Sequence, residues 1–376
     1  MKKMDVKKDM ENSVEELQEL LERTETIQKI NALQEQTAVE IFSWPAYSGK
    51  DRLKREIRKY LLRQAVPPLD RYSWPNAMLA GGLSQLQKVT RDSKSSEILK
   101  KYFDRWIRRG MPLYYVDNVA NGMPLLDLYE STGEEKYLEA ASRIAAFLKE
   151  HKKDEQENIP YRRKDMSYIY ADTIGMAAPF LCRYGNLRGE SGLVKLGVMQ
   201  IVHFLDHGMD EKTGLPYHGF DSRTGMKYGV VGWGRAVGWL MMGIAETLSC
   251  LPEQTPQFLF MQGHLQRLTR VVADYQRQDG SFSWLIPASE GHADTSATAM
   301  IACAVLAGIR RGCLEEDWAE LVKAAAEFLL SCMKNGKVEQ CSAECMAFAE
   351  YPQRYGSYPW GDGPALKLFA MLEEVE

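Results

Sequence analysis

Two aspartates, Asp117 and Asp172, stand at the heads of apolar, helix-patterned runs, in Asp117-Asn118 and Asp172-Thr173. Comparable positions are held by Trp74-Pro75-Asn76, Trp233-Gly234-Arg235, Asp294-Thr295-Ser296 and Trp360-Gly361-Asp362. An aspartate at a helix start is ordinarily an N-cap, stabilising by about 1 kcal/mol. Tryptophan and arginine have no capping role, so their company at the same ends points to chemistry. Paired carboxyls suit acid and base work, tryptophan at a polar rim suits stacking on a sugar ring, and arginine suits a carboxylate. Helix starts brought to one mouth would also offer free N–H groups and dipoles to an anionic ligand.

The elements that must position these residues are helical. Leu321, Ala324, Ala325, Phe328, Leu329 and Cys332 mark one helix face, and Tyr137, Leu138, Ala140, Ala141, Ile144, Ala145 and Leu148 mark another. Helices such as Glu134–Lys149 and Glu316–Lys334 are amphipathic and charged. Others, Val119–Tyr129, Ile174–Cys182, Ala236–Leu248 and Ala297–Ile309, are apolar nearly all round and must be enclosed by protein. Alternation of the two kinds predicts a double ring of helix hairpins, an all-α (α/α)6 barrel with short β-like loops. The short link Ser131-Thr132-Gly133-Glu134 supports antiparallel neighbours. The 306 residues after the first 70 allow about 25 for each of twelve helices with its loop. Gly214–Phe220 and Gly280–Ile286 are the clearest strand candidates. Residues 1–45 read as an N-terminal helical extension outside the main core, a lid or an arm to a partner subunit, and residues 46–376 as one catalytic domain. Val14, Leu17, Leu20, Leu21, Ile27, Ile30 and Leu33 give the extension its helical spacing.

Composition excludes several classes. Lys and Arg number 47 against 51 Asp and Glu, a net charge of −4. That balance gives no long-range pull toward nucleic acid or an anionic membrane. No secretory leader or membrane-spanning run is visible, and the seven scattered cysteines read as reduced thiols, so a cytoplasmic protein is expected. Walker A, Rossmann and G-x-S-x-G motifs are missing. His203 and His207 share a helical spacing but lack the HExxH glutamate and a third ligand. Cys341 and Cys345 lack a paired cluster. No metal or cofactor is expected.

The chain resembles glycoside hydrolase family 105, the unsaturated rhamnogalacturonyl hydrolases, related to the family 88 unsaturated glucuronyl hydrolases. The resemblance is carried by Asp117-Asn118, Gly122–Gly133, Tyr170–Thr173, Pro179–Leu181, Gly214–Asp221, Trp233–Trp239 and Asp294–Met300, over a stretch running from about Trp74 to the C-terminus. It departs at Ala236-Val237, where the family usually has Gly-Asn. The family implies an (α/α)6 barrel that hydrates the C4=C5 double bond of a terminal unsaturated uronic acid, whose hemiketal then collapses and releases the neighbouring sugar. By motif, Asp172 is implied as general acid/base and Asp117 as its assistant on the ring hydroxyls. His218, Trp233, Arg235 and Trp239 are implied to frame the sugar and its carboxylate, with Trp74, Asp294 and Trp360 as further binding candidates. A general acid near neutral pH needs a raised pKa, which burial and a like charge can supply against the helix dipole.

The residues alone leave other readings open. An ordinary two-carboxylate glycosidase would accept saturated glycosides. A sugar epimerase would need a base pair such as His218 with His292. A non-catalytic helical scaffold explains the hairpins but not the residues gathered at their ends. The partner expected is a small unsaturated oligosaccharide, with an oligomer possible through the N-terminal helix.

Overall fold

The computed structural model describes residues 21–45, 49–63, 70–162, 167–346 and 350–373. Along the chain run α1 (Thr24–Ser43), α2 (Gly49–Glu56), α3 (Trp74–Thr90), α4 (Ser93–Arg108), α5 (Gly122–Thr132), α6 (Glu135–Glu150) and α7 (Ala171–Arg188). They are followed by α8 (Ser191–His207), α9 (Gly234–Leu248), α10 (Pro256–Ala273), α11 (Thr295–Arg310), α12 (Ala319–Ser331) and α13 (Pro359–Glu373). Helices α3, α5, α7, α9, α11 and α13 pack in that order into an inner ring, closed by α13 against α3. Outside it lie α1, α4, α6, α8, α10 and α12, each preceding its inner partner. This is the (α/α)6 barrel expected from the alternation of patterns.

Burial explains that alternation. Every residue of α9 except Glu246 is buried, because protein surrounds an inner helix. Outer α4 buries only Ser95, Leu99, Tyr102, Phe103 and Trp106, one face of its cylinder. The ring is tight where α13 meets α3. A methyl group on Gly363 would sit 2.3 Å from the Met78 carbonyl oxygen, and one on Gly82 2.5 Å from that of Gly363. Gly133, at φ +67°, ends α5 as its spacing predicts.

The N-terminal helix corrects the sequence reading. Far from lying outside the core, α1 is the twelfth helix of the double ring, packed on both α3 and α13 with Ile30, Leu33 and Ile41 buried. Asn76 Nδ2 donates to the Ile41 carbonyl at 2.8 Å, and Lys337 pairs with Glu40 at 3.2 Å. Its apolar stripe is narrow, since an outer helix buries one face only, and so its pattern matches that of a detached amphipathic segment. Val14, Leu17 and Leu20, read as part of the same extension, lie outside the described residues.

Strands are few. Tyr168–Tyr170 (β1), Gly219–Asp221 (β2) and Lys227–Tyr228 (β3) form an antiparallel sheet in that order. The expected strand at Gly280–Ile286 contributes only to isolated bridges, Trp233 with Leu285 and Ser283 with Ala293. Two further pairs are Met333–Lys334 with Lys337–Val338 and Cys341–Ser342 with Tyr355–Gly356. No helix among the described residues is long and apolar enough to cross a membrane.

Candidate active site

Because every inner helix follows its outer partner, all six run the same way and their starts meet at one mouth. There a cavity of about 100 Å³ is lined by Trp74, Asp172, His218, Trp233 and Arg235, all singled out by sequence. Tyr161, Arg162, Tyr170, Glu344 and Cys345 complete the wall.

The small sheet sets the central pair. Tyr170 of β1 is opposite Gly219 of β2, and the Ala171 N–H donates to the His218 carbonyl at 3.0 Å. Helix α7 therefore starts beside His218, with Asp172 as its second residue. Gly219 permits this approach, since a methyl there would lie 2.4 Å from the Ile169 carbonyl oxygen. His218 Nδ1 is 3.1 Å from the Tyr351 hydroxyl, which accepts from the Val230 N–H at 3.3 Å. The Tyr351 proton can then be donated to Nδ1, leaving the imidazole hydrogen on Nε2. Nε2 lies 3.2 Å from Asp172 Oδ2, yet this buried oxygen has no hydrogen-bond partner of acceptable geometry. Asp172 is not a cap; its helix has no side-chain N-cap bond. Trp233 closes one side with its ring 4.4 Å from that of His218.

Asp117 sits in the 3₁₀ turn Val116–Asn121 and accepts from Tyr161 Oη at 2.5 Å. Asn118 fixes that turn, accepting from the Tyr114 and Tyr115 N–H groups and donating to Asp70 and the Tyr72 carbonyl. Burial pushes the Asp117 carboxyl up to about 7, against the pull of Tyr161 and with the help of Glu344, Asp172 and Asp70. The like-charge pressure expected between two aspartates is thus present, and it is felt at Asp117. Desolvation likewise raises Glu344, offset by the charge of Arg235.

Four of the expected binding residues turn out to serve the wall. Asp294 is fully buried and caps α11, accepting from Ser296 N at 3.0 Å, Ser342 N at 3.1 Å and Ser342 Oγ at 2.6 Å. For this aspartate the ordinary capping role holds. Arg235 borders the cavity, but its guanidinium donates to Ser342 Oγ at 2.7 Å, Ser342 O at 3.0 Å and Ala343 O at 2.8 Å, with Asp294 at 3.8 Å. It is 2% exposed and lies over the Trp233 ring, so it clamps the loop that presents Glu344. Trp360 is buried, stacked on Tyr358, with its indole N–H on the Ser342 carbonyl at 2.9 Å. Trp239 is buried behind Trp74, edge-on at 6.4 Å. Ala236 and Val237 are both buried within α9.

Sequence reasoning missed Tyr161, Arg162 and Glu344. Glu344 is the lone charge in Cys341–Ala349, and Arg162 opens the basic run Arg162-Arg163-Lys164, so both left a signal. His292 stacks on Tyr355 and is absent from the cavity wall, which removes the epimerase pair. His203 Nδ1 is engaged by Asn158 at 2.9 Å. Among the described residues no three His, Cys, Asp or Glu side chains gather to hold a metal ion. No disulfide joins any of the seven cysteines.

Comparison with known proteins agrees with this architecture. The sequence model of Glycosyl Hydrolase Family 88 matches residues 51–375. The unsaturated rhamnogalacturonyl hydrolase YesR of Bacillus subtilis (strain 168) is 25% identical over 311 residues, covering 80% of this chain and 89% of YesR. The crystal structure of a possible member of the GH105 family from Klebsiella pneumoniae superposes with a TM-score of 0.82 at 20% identity, over 94% of both chains. The unsaturated glucuronyl hydrolase of Bacillus sp. GL1 superposes with a TM-score of 0.68 at 16% identity, over 91% of this chain and 95% of its own.

Proposed function

The chain belongs to Glycosyl Hydrolase Family 88, and we propose that it removes a terminal 4,5-unsaturated uronic acid from oligosaccharides left by polysaccharide lyases. The observation that carries this reading is the meeting of Asp172 and His218 with aromatic rings in one small cavity, while Asp117 adjoins through Tyr161. Asp172 in its acid form protonates C4. Water then adds to C5 and gives a proton back to the Asp172 carboxylate, so that one water is consumed and the catalyst is regenerated. The C5 hemiketal opens, and the hemiacetal thus formed at C1 expels the neighbouring sugar. Asp117 accepts from the ring hydroxyls, Trp74 and Trp233 enclose the ring, and His218 stands beside Asp172 with Nε2 at 3.2 Å from Oδ2. Arg162, exposed at the rim, supplies positive charge for the uronate carboxylate, while Nη1 and Nη2 of Arg235 donate to Ser342 and Ala343 in the wall.

The substrate that the YesR likeness favours is the unsaturated disaccharide of rhamnogalacturonan, and a cytoplasmic setting suits cysteines that form no disulfide. The test is to offer lyase-generated disaccharides from pectic and glycosaminoglycan sources and to follow the alkene absorbance. Bleaching, fastest with the pectic disaccharide, is expected. Turnover of saturated glycosides with the alkene untouched would replace this reading by the ordinary two-carboxylate mechanism.

A further inference from the structure

Asp117 stands among negative charges. After burial, the charged groups that act on it most are Glu344 from the loop after Ser342, Asp172 from α7 and Asp70 from the segment before α3. On its own turn, the Asn118 amide is already engaged by Asp70 and Tyr72. Nη1 and Nη2 of Arg235 donate to Ser342 and Ala343, and Arg162 lies at the rim. The side chain that bonds to Asp117 is Tyr161, at 2.5 Å. A phenol that donates to a carboxyl favours its ionised form, so Tyr161 opposes the rise that burial imposes on Asp117. The phenol is itself held: the Tyr161 N–H donates to the Tyr168 carbonyl at 3.3 Å, and its ring meets Tyr170 edge-on at 5.1 Å. Its hydroxyl therefore has a fixed address, set by β1, the same strand that launches α7.

We propose that Tyr161, which lines the cavity and bonds to Asp117 behind it, is a positioning residue that favours the anionic form of Asp117, and that Glu344, in the wall of the same cavity, supplies the opposing push, so that the two together set the acid limit of activity. This rests on the reading of Asp117 as a carboxylate that accepts from the substrate's hydroxyls. Loss of the phenol leaves Asp117 easier to protonate, and a protonated Asp117 offers a poorer acceptor to the sugar. Loss of the Glu344 charge does the reverse. Two substitutions on one cavity thus carry opposite signs, which a merely structural role would not give.

The test is the pH profile of kcat/KM for Tyr161→Phe and Glu344→Gln on an unsaturated disaccharide, together with titration of Asp117 by carboxyl ¹³C NMR. The Asp117 resonance is the one missing from Asp117→Asn. Tyr161→Phe is expected to move the acid limb to higher pH. Activity below the limb then falls about tenfold for each pH unit the limb moves, chiefly through KM, and recovers at higher pH. Glu344→Gln is expected to move the limb to lower pH. The Asp117 resonance should titrate in the same two directions. Limbs that move the same way, uniform losses at every pH, or an unmoved Asp117 resonance would overturn the proposal. If Tyr161→Phe does not fold, Glu344→Gln alone decides, by whether its limb moves to lower pH or stays. A wild-type protein that leaves the alkene intact would sink the functional reading, while the NMR titration would still decide this one.

Discussion

The two ends of the barrel are built from the same six helices and do opposite things. At the floor, where inner helices end, a cavity of about 590 Å³ is lined by Lys88, Arg183, Arg310, Arg311 and Lys367 among others. Carbonyl groups gather there, and cations compensate the negative ends of the helices. Each of these cations already has a partner: Lys88 and Arg183 pair with Asp127, Arg311 with Glu253, Lys367 with Glu246, and Arg310 donates to the Met371 carbonyl. The mouth encloses about 100 Å³, yet beside it stands a carboxyl, Asp117, pushed up to about 7, whereas the floor's Asp127, despite its burial, is held below its ordinary value by Arg183 and Lys88. On the function proposed above, size does not mark the reactive end. A carboxyl held away from its ordinary ionisation does.

That contrast can be broken at either end. The largest effect is expected from Asp172→Asn at the mouth, a loss of roughly 10³-fold or more in kcat, about 4 kcal/mol, with an unchanged circular dichroism spectrum. Near-wild-type bleaching of the alkene by this variant would remove Asp172 from the chemistry. Arg235→Ala comes next. It leaves Asp294 buried without its cation, and a stability loss of about 3–5 kcal/mol is expected in urea unfolding. If that variant unfolds at the wild-type midpoint while KM rises, Arg235 serves the substrate and not the wall. At the floor, Lys367→Met strands Glu246 and should cost about 2–4 kcal/mol of stability while kcat stays within about twofold. A collapse of kcat in a fully folded Lys367→Met protein would join the two ends functionally.

The smallest effect is expected at Asp117, and its sign is unusual. Its folded carboxyl holds a proton more tightly than the ordinary 3.8, so its contribution to stability is full at low pH and is lost as pH rises through about 7. Asp117→Asn removes the charge that must then be borne. It should therefore be more stable than the wild type at pH 8, by roughly 1–3 kcal/mol, and little different at pH 4. Thermal melts at the two pH values measure this. Equal gains at both would trace the effect to something other than ionisation.

Much of the fold was legible because enclosure leaves a compositional trace. Ala236–Leu248 and Ala297–Ile309 are apolar on every side, and no other placement suits such helices. Asp172 and His218 were legible as members of one mouth. Depth was not. Trp360 is the same residue type as Trp74 and Trp233 and likewise stands at a helix start, while Trp239 stands further along α9. Which indole reaches the cavity depends on side-chain direction around a closed ring, and spacing along one helix does not encode that. Arg235 was legible as a cavity residue, but its partners Ser342 and Ala343, more than a hundred residues away, were not. Glu344 and Tyr161 reach the mouth on loops, where periodicity carries no information.

Helix α1 has a consequence for how the chain is made. It packs on α3, which follows within the first hundred residues, and on α13, which ends at Glu373. The ring therefore has a seam whose two lips stand far apart along the polypeptide. Closing so long a loop is slow, which makes the Gly82–Gly363 junction a late step in folding. Until it closes, Leu33, Leu79 and Leu83 lack their final covering and are open to chaperones and to aggregation.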